Sequence, residues 1–181
     1  MKYVALLRGI NVGGNNLIKM AELELCFERQ GFGNVSTYIQ SGNVIFEAGG
    51  GSRAKLTHKV ERALSTTFGY SGKVVLRSQK QLQQIVTAAP KGFGKQPAKY
   101  RTDVIFLKEP LTVALAMKTV LTRPGVDQVH AGRGVLYFSR LVSQASRSLL
   151  GKIVGTPVYQ NMTIRNWNTT TKLLALMAHG D

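Results

Sequence analysis

Twice along this chain a helix-period segment is followed by two β-rich runs joined through a glycine turn, and that repeated order restricts the fold more than any other feature. In the first half, Val35–Gln40 and Val44–Ala48 are separated by Ser41-Gly42-Asn43. A Gly-Asn pair between such runs is a strong hairpin signal, because both residues reach the left-handed backbone that tight hairpins need. Tyr3–Leu7 is a short apolar run ending at Gly9, the pattern of a buried central strand. Lys19–Gln30 carries Met20, Leu23 and Phe27 at helical spacing, with Gly31 at its stop. Lys55–Phe68 reads as a helix and Lys73–Arg77 as a strand, which completes the order βαββαβ.

The second half repeats it. Asp103–Leu107 is a strand, and Leu111–Leu121 is a helix stopped by Pro124-Gly125. Gln128–His130 and Val135–Ser139 form a hairpin around Ala131–Gly134. Ser146–Val154 reads as a helix, Thr163–Arg165 as a strand and Asn168–Met177 as a closing helix. The expected fold is therefore α+β: two ferredoxin-like βαββαβ lobes related by internal duplication, over 1–78 and 102–181. Between them, 79–101 supplies a connecting helix, Gln79–Ala88, and a linker or mobile loop, Pro90–Ala98.

Charge is the compositional outlier. The 181 residues carry 24 Lys and Arg against nine Asp and Glu, a net +15. Residues 79–101 hold five basic groups and no acidic one, with Lys91, Lys95, Lys99 and Arg101 close together. Such a stretch concentrates nucleic acid, acidic headgroups or phosphorylated metabolites around it, although a merely solvated surface accounts for the charge equally well. The apolar run after Lys2 is too short for a signal-peptide core, and no segment approaches the about 20 apolar residues of a membrane span. The single cysteine, Cys26, excludes an internal disulfide and suits a reducing compartment. The expectation is a cytoplasmic protein without a membrane partner.

Two loops carry most of the polar specificity. In Arg8–Asn16, the Gly9 to Gly14 spacing fits the opening of a phosphate-cradling loop, but Asn15 and Asn16 stand where its Lys and Ser/Thr belong. This argues against nucleoside triphosphate hydrolysis and leaves a weaker anion site, with Arg8 and Lys19 nearby. A tight glycine turn with asparagines satisfying the backbone is the plainer alternative. In Thr163–Lys172, Asn166 or Asn168 caps the last helix, while Arg165 and Trp167 flank the cap. An Arg beside an aromatic pairs with carboxylate or phosphate or stacks on a base; a buried Trp with a structural Arg is the simpler reading.

Other chemistry is thin. Arg133-Gly134 and Tyr137 match two parts of the RNA-recognition strand pattern, but Val135, Leu136, Phe138 and Arg140 do not. His58, His130 and His179 lack metal-ligand spacing, and Cys26 has no second thiol. Glu24 and Glu28 share a helix face as solvated charge. No cofactor, metal or catalytic motif is expected.

The strings LLRGINVGGNNLIKMAEL (6–23), FERQGFGNVSTYIQSGNVIF (27–46) and TIRNWNTTTKL (163–173) resemble the bacterial family catalogued as domain of unknown function 1697. The resemblance implies a duplicated ferredoxin-like fold and supplies no reaction or substrate. Its motifs fall on Arg8, Gly9, Asn11, Gly13 and Gly14, on Tyr38, Gln40, Ser41, Gly42 and Asn43, and on Arg165, Asn166, Trp167, Asn168 and Thr169. With Asn15 and Lys19, all but Gly9 and Gly42 are the candidate ligand residues.

Three functions compete. The leading one is a non-enzymatic binding module for an anionic partner, nucleic acid foremost or another polyanion. A rival is a site for an anionic small molecule, phosphorylated or carboxylated, where Arg8, Gln40, Asn43, Arg165 and Trp167 converge beside Gly13 and Gly14. The third makes the motifs a purely structural clasp between the lobes.

Overall fold

The computed structural model describes residues 1–14 and 16–179. Within these residues eight strands and five α-helices follow in the order β1 (Lys2–Leu7), α1 (Met20–Glu28), β2 (Gly33–Thr37), β3 (Asn43–Glu47), α2 (Arg53–Phe68), β4 (Val74–Ser78), α3 (Gln79–Thr87), β5 (Tyr100–Leu107), α4 (Val113–Thr119), β6 (Asp127–Ala131), β7 (Val135–Leu141), β8 (Met162–Asn166) and α5 (Trp167–His179). They form an α+β fold of two four-stranded antiparallel sheets, ordered β2-β3-β1-β4 and β6-β7-β5-β8. Two compact units result: Met1–Leu82 with the chain from Leu173 onward, and Gln83–Lys172.

In the first unit, β1 sits centrally with Tyr3 opposite Phe46, and Ala5 opposite both Val44 and Leu76. Strand alternation sends Tyr3, Ala5, Leu7, Val44, Phe46, Val74 and Leu76 to one face. There they join Leu23, Cys26 and Phe27 of α1 and Val60, Ala63 and Leu64 of α2 in a single core. Phe46 is its centre: the rings of Phe32 and Phe27 lie 4.6 and 5.2 Å from it. Val4, Leu6, Ile45 and Val75, on the opposite face, are buried too. That is why these strands read as unbroken apolar runs rather than alternating ones. Helix α2 is bounded as its sequence dictates, with the Ser52 hydroxyl accepting from the Lys55 N–H and Gly69 stopping it at φ 64°.

In the second unit the core lies on one sheet face, among Ile105, Leu107, Leu136, Phe138 and Met162, covered by Ala116 and Val120 at α4 and by Leu150 and Ile153. The expected helix over Ser146–Val154 does not form. Three short 3₁₀ turns run instead through Val142–Arg147, Leu150–Ile153 and Pro157–Asn161. The serines here compete for backbone groups, Gly151 and Gly155 interrupt any helix, and Pro157 begins the last turn. Among the described residues, no helix is long and apolar enough to cross a membrane.

Candidate functional site

The two glycine-containing loops of the first unit interlock. The Asn11 amide donates to the carbonyls of Ile18 (2.9 Å) and Gln40 (3.0 Å), while its oxygen accepts from the Ile18 N–H at 2.9 Å. The Asn16 side chain donates to Gly9 O, and Asn43, fully buried, donates to Tyr38 O and Ser41 Oγ. The Leu7 N–H donates to Gly42 O. A Cβ on Gly42 would lie 2.6 Å from Ile10 Cδ1, so position 42 needs glycine for space as well as for its φ of 78°. Tyr70 grips the loop's start: its hydroxyl donates to Arg8 O at 2.6 Å and accepts from the Arg8 N–H. Gly13, Gly14 and Lys19 are exposed, and Lys19 approaches Glu22 at 3.8 Å. Asn15 lies outside the described residues. Ile39, half exposed, takes a φ of 52°, a left-handed backbone that a β-branched residue seldom adopts.

In the second unit, the RNWNT segment is equally committed to architecture. The Asn166 oxygen caps α5 by accepting from the Asn168 N–H (2.9 Å), and its amide donates to Thr102 O on β5. Arg165 is buried and donates from Nη1 to Ile164 O. Trp167 makes an edge contact with Phe93, ring centroids 5.1 Å apart, and Phe93 makes another with Tyr137 at 5.5 Å. Asn168 is exposed and Thr169 half-buried. The candidate residues thus divide between the units: Arg8 to Asn43 belong to the first, and Arg165 to Thr169 to the second.

Residues 90–99 are an ordered series of turns rather than a featureless linker. Phe93 N donates to Pro90 O, Lys95 N to Gly92 O and Lys99 N to Gln96 O. Gly92 and Gly94 take φ of 81° and 76°. Between these turns and the face of the second sheet lies a cleft of about 220 Å³. Its floor is Thr102 of β5, Gln128 and His130 of β6 and Ser139 of β7; its wall is Pro90–Gly94 with Gln96 and Tyr100. Register explains the floor, since Thr102 and Gln128 both lie opposite Ser139. No acidic residue lines the cleft, Lys91 does, and Lys95 and Lys99 are exposed. None of the motif residues lines it; Trp167 instead packs against the turns that form its wall.

Thr102, Gln128, His130 and Ser139 carry no local signature, because only sheet register brings them together. The acid-free composition of 79–101 is the one trace of the cleft in the sequence. Tyr137, which matches the RNA-recognition pattern, is buried, donates its hydroxyl to Ile85 O at 2.6 Å, and is covered by Phe93. It offers no open stacking surface, and burial raises its pKa.

On the opposite face, Asp103 is buried, 3.6 Å from Arg101 and 3.9 Å from Arg140. Burial raises its pKa, opposed by the two guanidiniums and the Asn166 amide. Asp127 accepts from the Arg123 and Leu149 N–H groups through Oδ2. Among the described residues, no three His, Cys, Asp or Glu side chains group as metal ligands.

Two interlocked glycine loops on one α+β unit and a capped Trp motif on another define a protein class by architecture rather than by chemistry. Residues 1–137 match the family described as Protein of unknown function (DUF1697), and the chain belongs to it. The RNWNT segment lies beyond the matched residues. The chain is also similar to a conserved bacterial protein of Streptococcus pneumoniae, whose solved structure superposes with a TM-score of 0.84 at 27% identity, covering 97% of this chain and 98% of that one. No curated protein matches.

Proposed function

We propose that the protein is a non-enzymatic binding module for an anionic partner, nucleic acid in the first place, working in the cytoplasm through the second unit. The observation that carries this reading is the acid-free segment 79–101: it supplies Lys91 and the wall of a cleft lined by hydroxyl, amide, imidazole and backbone groups without a single carboxylate. A cytoplasmic setting is supported by the lone, buried Cys26. Each unit is a copy of one ferredoxin-like βαββαβ ancestor on this reading, supported by the equivalent strand order of the two sheets.

The motif loops have a structural role, local to each unit. That is favoured by the use of the Asn11, Asn43 and Asn166 side chains on neighbouring backbone groups. The test of the main reading is an anisotropy titration of the whole protein with labelled RNA and with inorganic polyphosphate at stepped salt. Micromolar binding at about 50 mM salt that weakens steadily as salt rises is expected. No detectable binding, or binding indifferent to salt, overturns it.

A further inference from the structure

We infer that the cleft of the second unit takes one unstacked base of a single-stranded nucleic acid, with the neighbouring phosphates lying along Lys91, Lys95 and Lys99. This deepens the reading above and rests on it.

Size is the first argument. At about 220 Å³ the cleft falls below the roughly 300–1,000 Å³ of sites that hold a whole drug-sized ligand or cofactor. It suits one ring system of a longer molecule whose remainder stays outside. A duplex keeps its bases inside the stack, so only a strand with free bases delivers one to such a slot.

Chemistry is the second. The floor offers the Gln128 amide, the Thr102 and Ser139 hydroxyls and the His130 imidazole, which together donate and accept as a base edge does. The aromatic rings of Phe93 and Tyr100 stand in the wall, where a base gains stacking energy without demanding one sequence. Phosphate would bring negative charge, and the lining has no carboxylate to repel it. Outside, the exposed Lys95 and Lys99 continue from Lys91, and Lys99 Nζ lies 5.2 Å from the Tyr100 ring, beside the cleft.

Rigidity is the third. Phe93 is held between Tyr137 and Trp167, so the wall stands at a set distance from the sheet and the slot keeps its width.

The experiment titrates the full chain with four labelled probes: a single-stranded RNA, the same sequence as DNA, its duplex, and inorganic polyphosphate. Gln128 and His130 are exposed, so Gln128→Ala/His130→Ala is expected to fold, checked by its melting curve. Single strands should bind about tenfold tighter than the duplex or polyphosphate, and the double variant should remove about that tenfold while leaving polyphosphate affinity unchanged. An RNA preference over DNA would place the 2′-hydroxyl among the recognised groups, and equal affinity would place recognition in base and phosphate. If all four probes bind alike and the variant changes nothing, the base-in-cleft proposal is overturned while the polyanion reading stands. If no probe binds, both fall.

Discussion

Trp167 lies so close to Gly94 that a Cβ at position 94 would sit 2.0 Å from the indole Cδ1. The pair are 73 positions apart in sequence, yet their contact ties the basic turns of residues 90–99 to the start of α5. A flexible linker would leave the lysines as a diffuse cloud; this contact holds in place the turns that carry Lys91, Lys95 and Lys99.

Gly94→Ala should destabilise the protein by about 2–4 kcal/mol, combining overpacking with a left-handed backbone at 94. Trp167→Ala should cost about 2–3 kcal/mol, less than a fully buried Trp because the residue is only partly buried. In the Trp167→Ala background the clash is gone, and Gly94→Ala should then cost only the backbone part, about 1–2 kcal/mol. Urea unfolding of the four proteins measures the coupling; strict additivity would show that the two residues do not bear on each other.

Ile39 places a β-branched side chain, half exposed, on a left-handed backbone. Ile39→Asn should raise stability by roughly 0.5–1.5 kcal/mol, since Asn tolerates this conformation and little packing is lost. A lower melting temperature for the variant would mean that Ile39 contributes packing its exposure conceals.

Asn11 joins the loop at residues 8–16 to the turn at residues 38–43. Asn11→Ala should cost about 1–3 kcal/mol by leaving the Ile18 N–H and two carbonyls without their partner. Asn11→Asp should be similarly harmful, because the carboxylate accepts from Ile18 N–H but donates to neither carbonyl. Amide exchange at Ile18 separates the two, with protection falling in Asn11→Ala, which loses the acceptor, and largely kept in Asn11→Asp, while both variants lower the melting temperature.

The strand order was legible because buried strands with glycine turns leave a local pattern: Tyr3–Leu7, the hairpin at Ser41–Asn43 and the helix ending before Gly69 all follow from neighbours in sequence. The stretch at 142–161 was not, since Leu149, Leu150 and Ile153 give a helical spacing that the serines, glycines and Pro157 override. The ordered turns at residues 90–99 were invisible for a different reason. Their anchors, Tyr137 and Trp167, lie more than 40 positions away, and no local rule connects Phe93 to either. The motifs drew attention to Asn11, Asn43 and Asn166 as candidate ligands, and in the fold their amides bond neighbouring backbone; a polar residue at a turn reads alike in both roles.

Asp103 gives a pH signature. Its carboxyl is held above the ordinary 3.8 by burial, against the pull of Arg101, Arg140 and Asn166. The folded protein therefore binds this proton more tightly than the unfolded chain, and the group's contribution to stability falls as pH rises from 3.8 through the raised value. Asp103→Asn lacks that dependence. Its stability relative to the parent should increase with pH across this window in paired urea titrations. A relative stability that decreases there would assign the carboxylate a net favourable role.

On the proposed reading, Lys91 at the cleft and the exposed Lys95 and Lys99 contact the phosphates of a bound strand. The measurement that tests it most directly is the slope of log affinity against log salt for a single-stranded RNA, compared between the parent and Lys91→Ala/Lys95→Ala/Lys99→Ala. Each single-strand phosphate contact contributes about −0.7 to that slope, so losing three should flatten it by about 2. An unchanged slope, with affinity also unchanged, would show that these lysines touch no phosphate and would contradict the account.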